Sequence, residues 1–402
     1  MALIPEIPSG PQPSKTLYAC RVAFNKPAFL GPEIEEIRKA IQTYNQISGV
    51  GHNTLLCEKS LAQRYQAPCL LTSSCTHALE MAALLLDLSP GDEVILPSYT
   101  FVSTANAFAL RGATVKFVDC DRYGQLDLES VKRQVSPRTR AVCVVHYAGN
   151  STNMDALSQF CAEHRLALVE DAAQAIGALY QGRALGTWGD LACLSFHETK
   201  NITSGEGGAL IVNNPALLER AQYIREKGTN RTRFVEGLVD KYTWVDLGSS
   251  YVLSDMNAAH LWVQLENLDK INARRQQIWE RYAHSLQPLL QPATVSMLET
   301  PSGNTPNYHL FALVFEEPEY RTAFINFMRQ RDIVTPFHYV PLHSSPMGQQ
   351  LSPELVSDAS EPFLNTFRLA RGLVRLPIFY NMTDQEQDWV IASIAQFLRE
   401  HQ

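Results

Sequence analysis

Lys200 stands where a buried strand is expected to end. It lies in the segment SFHETKNITSGEGG, residues 195–208, between the apolar run LACLSF and a group of glycines that predicts a tight turn. A lysine at the end of a sheet loses hydration, which disfavours its ammonium form and lowers its pKa below about 10.4. A neutral amine can attack an aldehyde and form a Schiff base. The alternative is a solvated surface lysine, which is the usual place for this residue type.

A carboxylate and an amide follow another expected strand. The segment LALVEDAAQ ends an apolar run on Asp171, and Gln174 comes shortly after it. In open α/β sheets, ligands collect at the carboxyl ends of the strands. Asp171 either faces such a ligand or caps a following helix, and this segment alone leaves both open.

Two further segments bring small polar and aromatic residues to strand ends. In LLTSSCTHALEMAALLL, the residues Ser74, Cys75, Thr76 and His77 lie where free N–H groups and a helix dipole would hold a phosphate. The alternative is a simple Ser or Thr helix cap. In DEVILPSYTFVSTANA, Tyr99 and Phe101 reach the same edge, either as core residues or as rings stacked on a planar ligand.

Taken together in their order along the chain, these residues indicate a type of cofactor that no one of them indicates alone. Along the chain come a phosphate loop, an aromatic residue, a strand-end Asp and a strand-end Lys. Pyridoxal phosphate needs N–H donors for its phosphate, a flat apolar face for its ring, a carboxylate for its pyridine nitrogen and an amine for its aldehyde. The set therefore predicts a site for this cofactor with Lys200 as the reacting amine.

The elements that position these residues alternate along residues 30–230. Short β-branched runs such as AVCVVH and LALVED are separated by segments with helical periodicity, which favours a large, mostly parallel sheet covered on both faces by helices. A long helical pattern from about 253 to 290 leads into a smaller α+β region. We predict a flexible tail over 1–20, a large α/β domain over 21–265 and a small C-terminal α+β domain over 266–402.

Composition excludes several other classes of function. The 402 residues carry a net charge of −7 and no basic run, so we expect no nucleic-acid partner. No apolar run approaches the roughly 20 residues that span a bilayer, and the N-terminus lacks a basic leader. The eight cysteines are scattered without metal spacing, which predicts reduced thiols, no metal site and a cytoplasmic location. His338 and His343 lack acidic or cysteine partners nearby and are expected to line a cleft or to pack.

The chain resembles the fold-type I pyridoxal-phosphate enzymes of the DegT/DnrJ/EryC1/StrS family of nucleotide-sugar aminotransferases. The resemblance runs from about residue 23 to the C-terminus and rests on long motifs: FNKP, SGVGHNTLLCEKSLAQRY, PGDEVILPSYTFVSTANA, HYAG, VEDAAQAIGA, SFHETKNITSGEGGAL, REKGTNR, HYVPLH and RLPIFYNMT. Within the family, SFHETKN together with DKYTWVDLGSSY is similar to members that aminate C4 of TDP-4-keto-6-deoxyglucose with L-glutamate, for lipopolysaccharide or other surface polysaccharide.

The resemblance implies a role for each matching residue. Lys200 would bind the cofactor and carry protons, Asp171 would pair with the ring nitrogen, and Gln174 would contact the ring hydroxyl. Phe101 would stack on the ring. The phosphate would be held by Ser74, Cys75, Thr76 and Ser195. The nucleotide sugar would be bound by Tyr99, His197, His338 and Asn230.

The resemblance also implies a homodimer with active sites at the interface. Many members carry G-[YF]-N-Y-R, whose Asn reaches the partner's phosphate, where this chain reads GSSYV, with Ser250 in place of the Asn and Val252 in place of the Arg. Three rival functions share the fold. They are a sugar dehydratase, which has a histidine at the lysine position, a 3-aminotransferase, and a non-catalytic cofactor-binding sensor.

Overall fold

A seven-stranded sheet forms the centre of the chain. The computed structural model describes residues 22–235, 237–352 and 363–401. The strands of the chain are β1 Cys69–Thr72, β2 Glu93–Pro97, β3 Thr114–Val118, β4 Thr139–Val145, β5 Ala167–Asp171, β6 Leu179–Tyr180, β7 Arg183–Ala184, β8 Leu191–Ser195, β9 Gly208–Val212, β10 Val295–Met297, β11 Asn304–Thr305, β12 Phe311–Phe315 and β13 Leu373–Leu376. The central sheet has the order β1-β9-β8-β5-β4-β2-β3, and β6, β7 and β11 form a small sheet of their own.

The central sheet is mostly parallel, as the sequence predicts. Strand β9 is antiparallel to both of its neighbours, β1 and β8, while β8, β5, β4, β2 and β3 pair in parallel. Strands β1, β2, β5, β8 and β9 are buried along almost their whole length, because helices cover both faces. The predicted α/β fold class is confirmed.

Helices surround the sheet and continue into the C-terminal region. They are α1 Glu33–Gln42, α2 His52–Tyr65, α3 Cys75–Leu85, α4 Val102–Ala109, α5 Leu128–Gln134, α6 Met154–His164, α7 Leu218–Arg225, α8 Arg231–Val235, α9 Asp255–Glu266, α10 Leu268–Leu286, α11 Pro318–Arg329, α12 Pro346–Leu351, α13 Leu364–Gly372 and α14 Asp384–His401. None that the structure describes combines the length and apolar character needed to cross a bilayer.

The long helical pattern over 253–290 is interrupted, contrary to the prediction of one continuous stretch. Asn267 leaves the helical conformation, with φ −109° and ψ 11°, and separates α9 from α10. Its side-chain amide donates to the Val263 carbonyl at 2.9 Å. An Asn side chain competes for backbone hydrogen bonds in this way, so it ends one helix and begins the next.

The C-terminal region has a separate apolar core. Strands β10, β12 and β13 form a three-stranded antiparallel sheet, packed with α10, α11 and α14. Phe311, Phe324 and Phe397 are almost fully buried between these elements. Val22 also pairs with Ile333 here, so the first described residues run along this region before reaching α1. The domain limit between residues 265 and 266 stays a prediction.

Candidate active site

A cavity of about 560 Å³ lies at the carboxyl edge of the central sheet, where the C-terminal region covers it. Its volume is within the usual range for small-molecule sites. Ten of the residues singled out in the sequence line it: Ser74, Cys75, Thr76, Phe101, Asp171, Gln174, Ser195, His197, Lys200 and His338. Among the described residues, no group of three His, Cys, Asp or Glu side chains is placed to hold a metal ion.

Lys200 projects into this cavity from the turn after β8. Burial lowers the pKa of its amine, while the Cys75 thiol and the Asp171 carboxylate raise it and Arg375 lowers it further. Within the described chain, no acceptor lies within hydrogen-bonding distance of the amine. A lysine with a depressed pKa and an unoccupied amine is chemically suited to act as a nucleophile and a base.

The loop that carries Lys200 is held by its own backbone. The Lys200 N–H donates to the His197 carbonyl at 2.9 Å, and Ser204 N–H donates to the Phe196 carbonyl at 2.9 Å. Gly205 supplies the turn with φ +80°, a conformation that other residues adopt at a cost. The glycines that follow Lys200 in the sequence are thus explained by the tight return into β9.

Gly208 brings β9 against the start of α3. A Cβ atom at this position would lie 2.4 Å from both the Ser74 carbonyl carbon and the Cys75 nitrogen. That separation is impossible for a real side chain, so only glycine permits the contact. Gly208 therefore allows the strand that follows the Lys200 loop to lie directly against the polar turn before α3.

Asp171 ends β5 and is almost fully buried. Its Oδ2 accepts a hydrogen bond from the Thr104 hydroxyl at 2.7 Å, and its Oδ1 accepts one from the Ala173 N–H at 3.2 Å. No helix begins after Asp171, since residues 172–178 form turns, so the alternative role as a helix cap does not apply. The carboxylate is fixed at one side and faces the cavity.

The start of α3 provides a phosphate-sized cradle. Ser74 caps the helix, because its hydroxyl accepts from the His77 N–H at 3.1 Å. The backbone N–H groups of Cys75 and Thr76 are among the first of the helix and have no partner within it. The Thr76 hydroxyl lies 2.8 Å from that of Ser103, and Ser195 closes the cradle from the end of β8. The cap alternative is thus observed at Ser74, and the phosphate role of its neighbours is compatible with it and stays a prediction.

Gln174 connects the sheet to the C-terminal region. Its Oε1 accepts from the Ala148 N–H at 2.8 Å, and its Nε2 donates to the Tyr339 hydroxyl at 2.8 Å. One N–H of the amide is left for a ligand. Next to it, His338 lies 2.7 Å from the Tyr147 hydroxyl, and burial lowers the pKa of His338 well below its ordinary value. His338 is therefore neutral at the cavity wall.

Three predicted residues do not line the cavity of this chain. Tyr99 is almost fully buried in an aromatic cluster with Tyr147 and Tyr339, so direct contact with a substrate is not supported. Asn230 accepts from the Thr243 N–H at 2.7 Å and stiffens its own loop. Ser250 is exposed, outside the cavity. The roles of Asn230 and Ser250 at a partner's site stay predictions.

Among the lining residues that the sequence did not predict are six polar or aromatic ones outside the central sheet and its helices: Phe24, Asn25, Arg275, His309, Tyr339 and Arg375. Most come from the C-terminal region or from the segment before α1, which the strand-end rule does not cover. A signal was present for two of them, since His309 precedes an apolar strand and Arg375 interrupts another. A charged residue inside an apolar run departs from the usual composition of a buried strand and is therefore a candidate for a functional site.

The residues present fit pyridoxal phosphate. The cradle at α3 matches a phosphate, the Asp171 carboxylate matches a ring nitrogen, and the free Gln174 N–H matches a ring hydroxyl. Phe101 is 56% exposed although it is a large aromatic residue, and it lines the cavity, where an aromatic ring can stack on a planar ligand. An amine of depressed pKa completes the set. Lys200, Asp171, Gln174, Phe101 and the Ser74–Thr76 turn would hold the cofactor.

Comparisons with known proteins agree with this arrangement. The model of the DegT/DnrJ/EryC1/StrS aminotransferase family matches residues 31–395. Among solved structures, DesV from S. venezuelae, determined in complex with an intermediate, is 30% identical with a TM-score of 0.83, and covers 94% of this chain and 99% of its own. The aminotransferase TlmJ from Streptoalloteichus hindustanus is 29% identical with a TM-score of 0.85, at 94% and 99% coverage.

A more distant structure shares the fold. The aminotransferase PseC from Helicobacter pylori, involved in pseudaminic acid biosynthesis, is 22% identical with a TM-score of 0.85, and covers 94% of this chain and 99% of its own. All three matches extend over nearly the whole of both chains. The similarity of fold therefore includes both the central sheet and the C-terminal region.

Proposed function

The chain belongs to the DegT/DnrJ/EryC1/StrS aminotransferase family, and we propose from this premise that it is a pyridoxal-phosphate-dependent sugar aminotransferase. It moves the amino group of L-glutamate to the C4 ketone of a nucleotide-linked 4-keto-6-deoxy sugar, with TDP-4-keto-6-deoxyglucose as the favoured substrate. The products are 2-oxoglutarate and a TDP-4-amino-4,6-dideoxy sugar for surface polysaccharide.

The observation that carries the proposal is that Lys200 and Asp171 face the same cavity. An amine of lowered pKa and a buried carboxylate face the same space, and a phosphate cradle lies beside them. A sugar dehydratase of this fold is disfavoured, because it has a histidine at the lysine position. The choice of C4 and of TDP rests on the resemblance of SFHETKN and DKYTWVDLGSSY to 4-aminotransferases.

Each residue of the chain has a separable task. The cofactor, when bound, supplies an aldehyde that condenses with amines and a protonated ring that draws electrons from the reacting carbon. Asp171 would keep the ring nitrogen protonated, and Thr104 orients the Asp171 carboxylate through its 2.7 Å hydrogen bond. The N–H groups at the start of α3 would neutralise the phosphate charge.

Lys200 moves protons at the reacting carbon atoms. Its Nζ accepts the proton that leaves the α carbon of glutamate and later donates a proton to C4 of the sugar, which sets the stereochemistry of the amino group. Burial lowers the pKa of this amine, which favours the neutral form that proton abstraction requires. A positioned acid–base group of this kind contributes about 10²–10⁴-fold to a rate.

A second copy of the chain is proposed to complete the site. The end of α8 and the described residues of the loop that follows it, 237–247, expose seven large apolar side chains: Phe234, Val235, Leu238, Tyr242, Trp244, Val245 and Leu247. An exposed apolar group of this size marks an interaction surface. Asn230 and Ser250 flank the loop, and neither lines the cavity of its own chain. A homodimer that exchanges these loops would place both residues at the partner's cofactor and nucleotide.

The test is to supply TDP-4-keto-6-deoxyglucose and L-glutamate to the purified holoenzyme and to solve the product by NMR. Formation of an amino group at C4 with release of 2-oxoglutarate supports the proposal, and the ring couplings distinguish an axial from an equatorial amine. In a parallel reaction with a TDP-3-keto-6-deoxy sugar, amination at C3 without amination of the 4-keto sugar would identify a 3-aminotransferase instead. Parallel reactions with UDP and GDP sugars test the choice of nucleotide. No conversion of glutamate to 2-oxoglutarate would indicate a cofactor-binding sensor.

A further inference from the structure

Glu206 brings to the cavity a carboxylate that the proposed reaction does not use. It lies in the turn between the Lys200 loop and β9, and its side chain lines the cavity. The side chain is 69% exposed, so packing does not fix the carboxylate. Among the described residues, this carboxylate accepts no hydrogen bond, and its one ionic contact is with the imidazole of His197. A carboxylate at a cavity wall is therefore left with acceptor capacity for a ligand.

The backbone that carries Glu206 is fixed to helix α9. The Asn257 side-chain amide of that helix donates to the Ser204 carbonyl at 2.8 Å and to the Glu206 carbonyl at 3.3 Å. The Ser204 hydroxyl also donates to the Glu206 carbonyl, at 2.9 Å. The carboxylate is thus presented to the cavity from a turn whose position is set by three hydrogen bonds.

His197 presents a hydrogen-bond donor beside this carboxylate. The Thr199 N–H donates to Nδ1 of His197 at 3.3 Å, and the Thr199 hydroxyl lies 2.9 Å from the same atom. A backbone N–H can only donate, so Nδ1 is an acceptor and the hydrogen of the neutral ring is on Nε2. Nε2 lies 3.6 Å from Oε1 of Glu206. That separation exceeds the roughly 2.7–3.2 Å of an N–H···O hydrogen bond, so both groups can bind a third group.

This donor–acceptor pair matches one class of ligand group. The carboxylates of L-glutamate and the diphosphate of a nucleotide sugar offer acceptors only, and the negative charge of Glu206 repels them. A hydroxyl group is uncharged, accepts from an N–H and donates to a carboxylate. The pair formed by His197 and Glu206 is therefore complementary to a hydroxyl group.

The position of the pair indicates that the hydroxyl belongs to the sugar. His197 and Glu206 are on the same loop as Lys200, and all three line one cavity. The amine of Lys200 marks the place of the reacting C4 carbon. The hydroxyls at C2 and C3 are on the same ring as this carbon, whereas the base is separated from it by the sugar ring, the diphosphate and the ribose.

We infer that His197 and Glu206 bind a ring hydroxyl of the sugar, at C2 or C3, with Nε2 of His197 donating to its oxygen and Glu206 accepting its hydrogen. This inference rests on the proposed aminotransferase function and adds Glu206 as a residue that determines sugar specificity. The opposite edge of a 6-deoxy sugar carries a methyl group on C5, which forms neither hydrogen bond. The pair thus fixes which edge of the ring faces the Lys200 loop.

The test combines Glu206 variants with deoxy sugars in the sugar half-reaction. Cofactor absorbance is followed in single turnovers of the aminated holoenzyme with TDP-4-keto-6-deoxyglucose and with its 2-deoxy and 3-deoxy analogues. In the wild type, the analogue that lacks the bound hydroxyl should react about 10- to 150-fold more slowly at low concentration, the effect of losing a hydrogen bond to a charged group. Glu206→Ala should slow the parent sugar by a similar factor. It should slow that analogue by less than about threefold, because the interaction is already absent.

Conservative variants and a matched control show that the effect is specific. Glu206→Gln keeps an acceptor without the charge and should lie between the wild type and Glu206→Ala. His197→Gln can donate from an amide near the position of Nε2, so it should retain more activity than His197→Ala. Glu198→Gln changes an exposed glutamate of the same loop that does not line the cavity, and it should behave as the wild type. The half-reaction with L-glutamate should be unchanged in the Glu206 variants.

The outcomes distinguish failure of the subsite from failure of the proposed function. If Glu206→Ala slows the parent sugar and both analogues equally, or slows none of them, no hydroxyl is bound at Glu206 and the function stands. Weaker inhibition by TDP alone in Glu206→Ala would place the pair at the nucleotide and overturn the inference, as would a loss confined to L-glutamate. Cofactor absorbance and the melting temperature show whether each variant is folded and loaded. If the wild type converts none of the three sugars, the proposed function itself fails.

Discussion

His309 lies with its Nδ1 atom 2.9 Å from Oδ1 of Asn201, the residue that follows Lys200. The Asn201 amide nitrogen donates to the Asn307 carbonyl and to the Asn272 Oδ1, each at 2.8 Å. Since both N–H groups are used, Oδ1 is the acceptor side of Asn201, and His309 must donate from Nδ1. Burial lowers the pKa of His309 well below its ordinary value, so its ring is neutral and Nε2 is left as an acceptor.

This hydrogen bond predicts different results for two substitutions of His309. His309→Gln places an amide near the position of Nε2, whereas His309→Asn places one near Nδ1 and can keep the bond to Asn201. If the cavity-facing acceptor contributes to turnover, the Gln variant should retain about tenfold more activity than the Asn variant. Higher activity in the Asn variant would mean that only the bond to Asn201 matters. Steady-state kinetics decide between them, and ¹⁵N NMR of the wild type checks the tautomer.

Replacement of Lys200 should abolish turnover. Lys200→Ala removes the proposed covalent anchor and acid–base group, so kcat should fall by more than about 10⁴-fold. Borohydride reduction of the wild-type holoenzyme should leave the cofactor mass on the tryptic peptide that contains Lys200. Lys59→Ala, an exposed lysine of α2, is the control. Repeated turnovers in Lys200→Ala, or the mass on another peptide, would contradict the assignment.

Asp171 and Thr104 should act as a unit. Asp171→Asn removes the charge that we propose keeps the ring nitrogen protonated, and kcat should fall by about 10²–10³-fold. Thr104→Val removes only the hydrogen bond to Asp171 and should cost about tenfold, with the larger effect on kcat rather than KM. Thr100→Val is the matched control, because Thr100 lies 2.9 Å from the Thr104 hydroxyl and has no hydrogen bond to Asp171. Near-normal rates in Asp171→Asn would show that the carboxylate is structural.

Exchange of residues between two chains can be tested by complementation. Ser250→Asp should be inactive as a homodimer, because its carboxylate would repel the partner's phosphate, and Lys200→Ala is inactive in its own cavity. When the two variants are mixed as unfolded chains and refolded, about a quarter of the wild-type activity should return, because half of the dimers are mixed and each has one intact site. Ser250→Ala controls for the loss of the hydroxyl alone. If Ser250 serves its own chain, the mixture stays inactive.

His343 predicts part of the pH dependence of stability. It lies 2.6 Å from the Ser98 hydroxyl and stacks on Phe363 at 3.8 Å between ring centroids, and burial lowers its pKa to about 4. The unfolded chain has a histidine pKa of about 6.5, so between these values the unfolded state binds the proton and the folded state does not. The free energy of unfolding should therefore fall as the pH drops from about 6.5 toward 4.

Urea unfolding of the holoenzyme at several pH values measures this effect. His343→Gln should lower stability at pH 7.5 through lost packing but show a shallower decline toward pH 4.5 than the wild type. His284→Gln removes an exposed histidine of α10 and controls for the change in residue type. The buried His309 and His338 contribute to the decline in both proteins, so the difference between the two curves isolates His343. Parallel curves would contradict the prediction.

The sequence by itself identified the residues that lie at strand ends, because a strand ends where its apolar run ends along the chain. Buried parallel strands appear as apolar runs, and their carboxyl ends meet at one edge of a sheet, so Asp171 and Lys200 could be expected together. Ser195 was expected there only from the family resemblance. The turn glycines and the polar residues before α3 were readable for the same reason. These local and periodic signals also predicted the fold class.

Only the tertiary structure decided which residues of the second region complete the cavity. His309, Tyr339 and Arg375 reach it through packing of one core against another, and no periodicity in the sequence records that contact. Tyr99 shows the converse, since it sits at a predicted strand end but the rings of Tyr147 and Tyr339 cover it. The physical reason is that side-chain burial and hydrogen-bond direction depend on neighbours distant in sequence, whereas strand ends depend on neighbours along the chain.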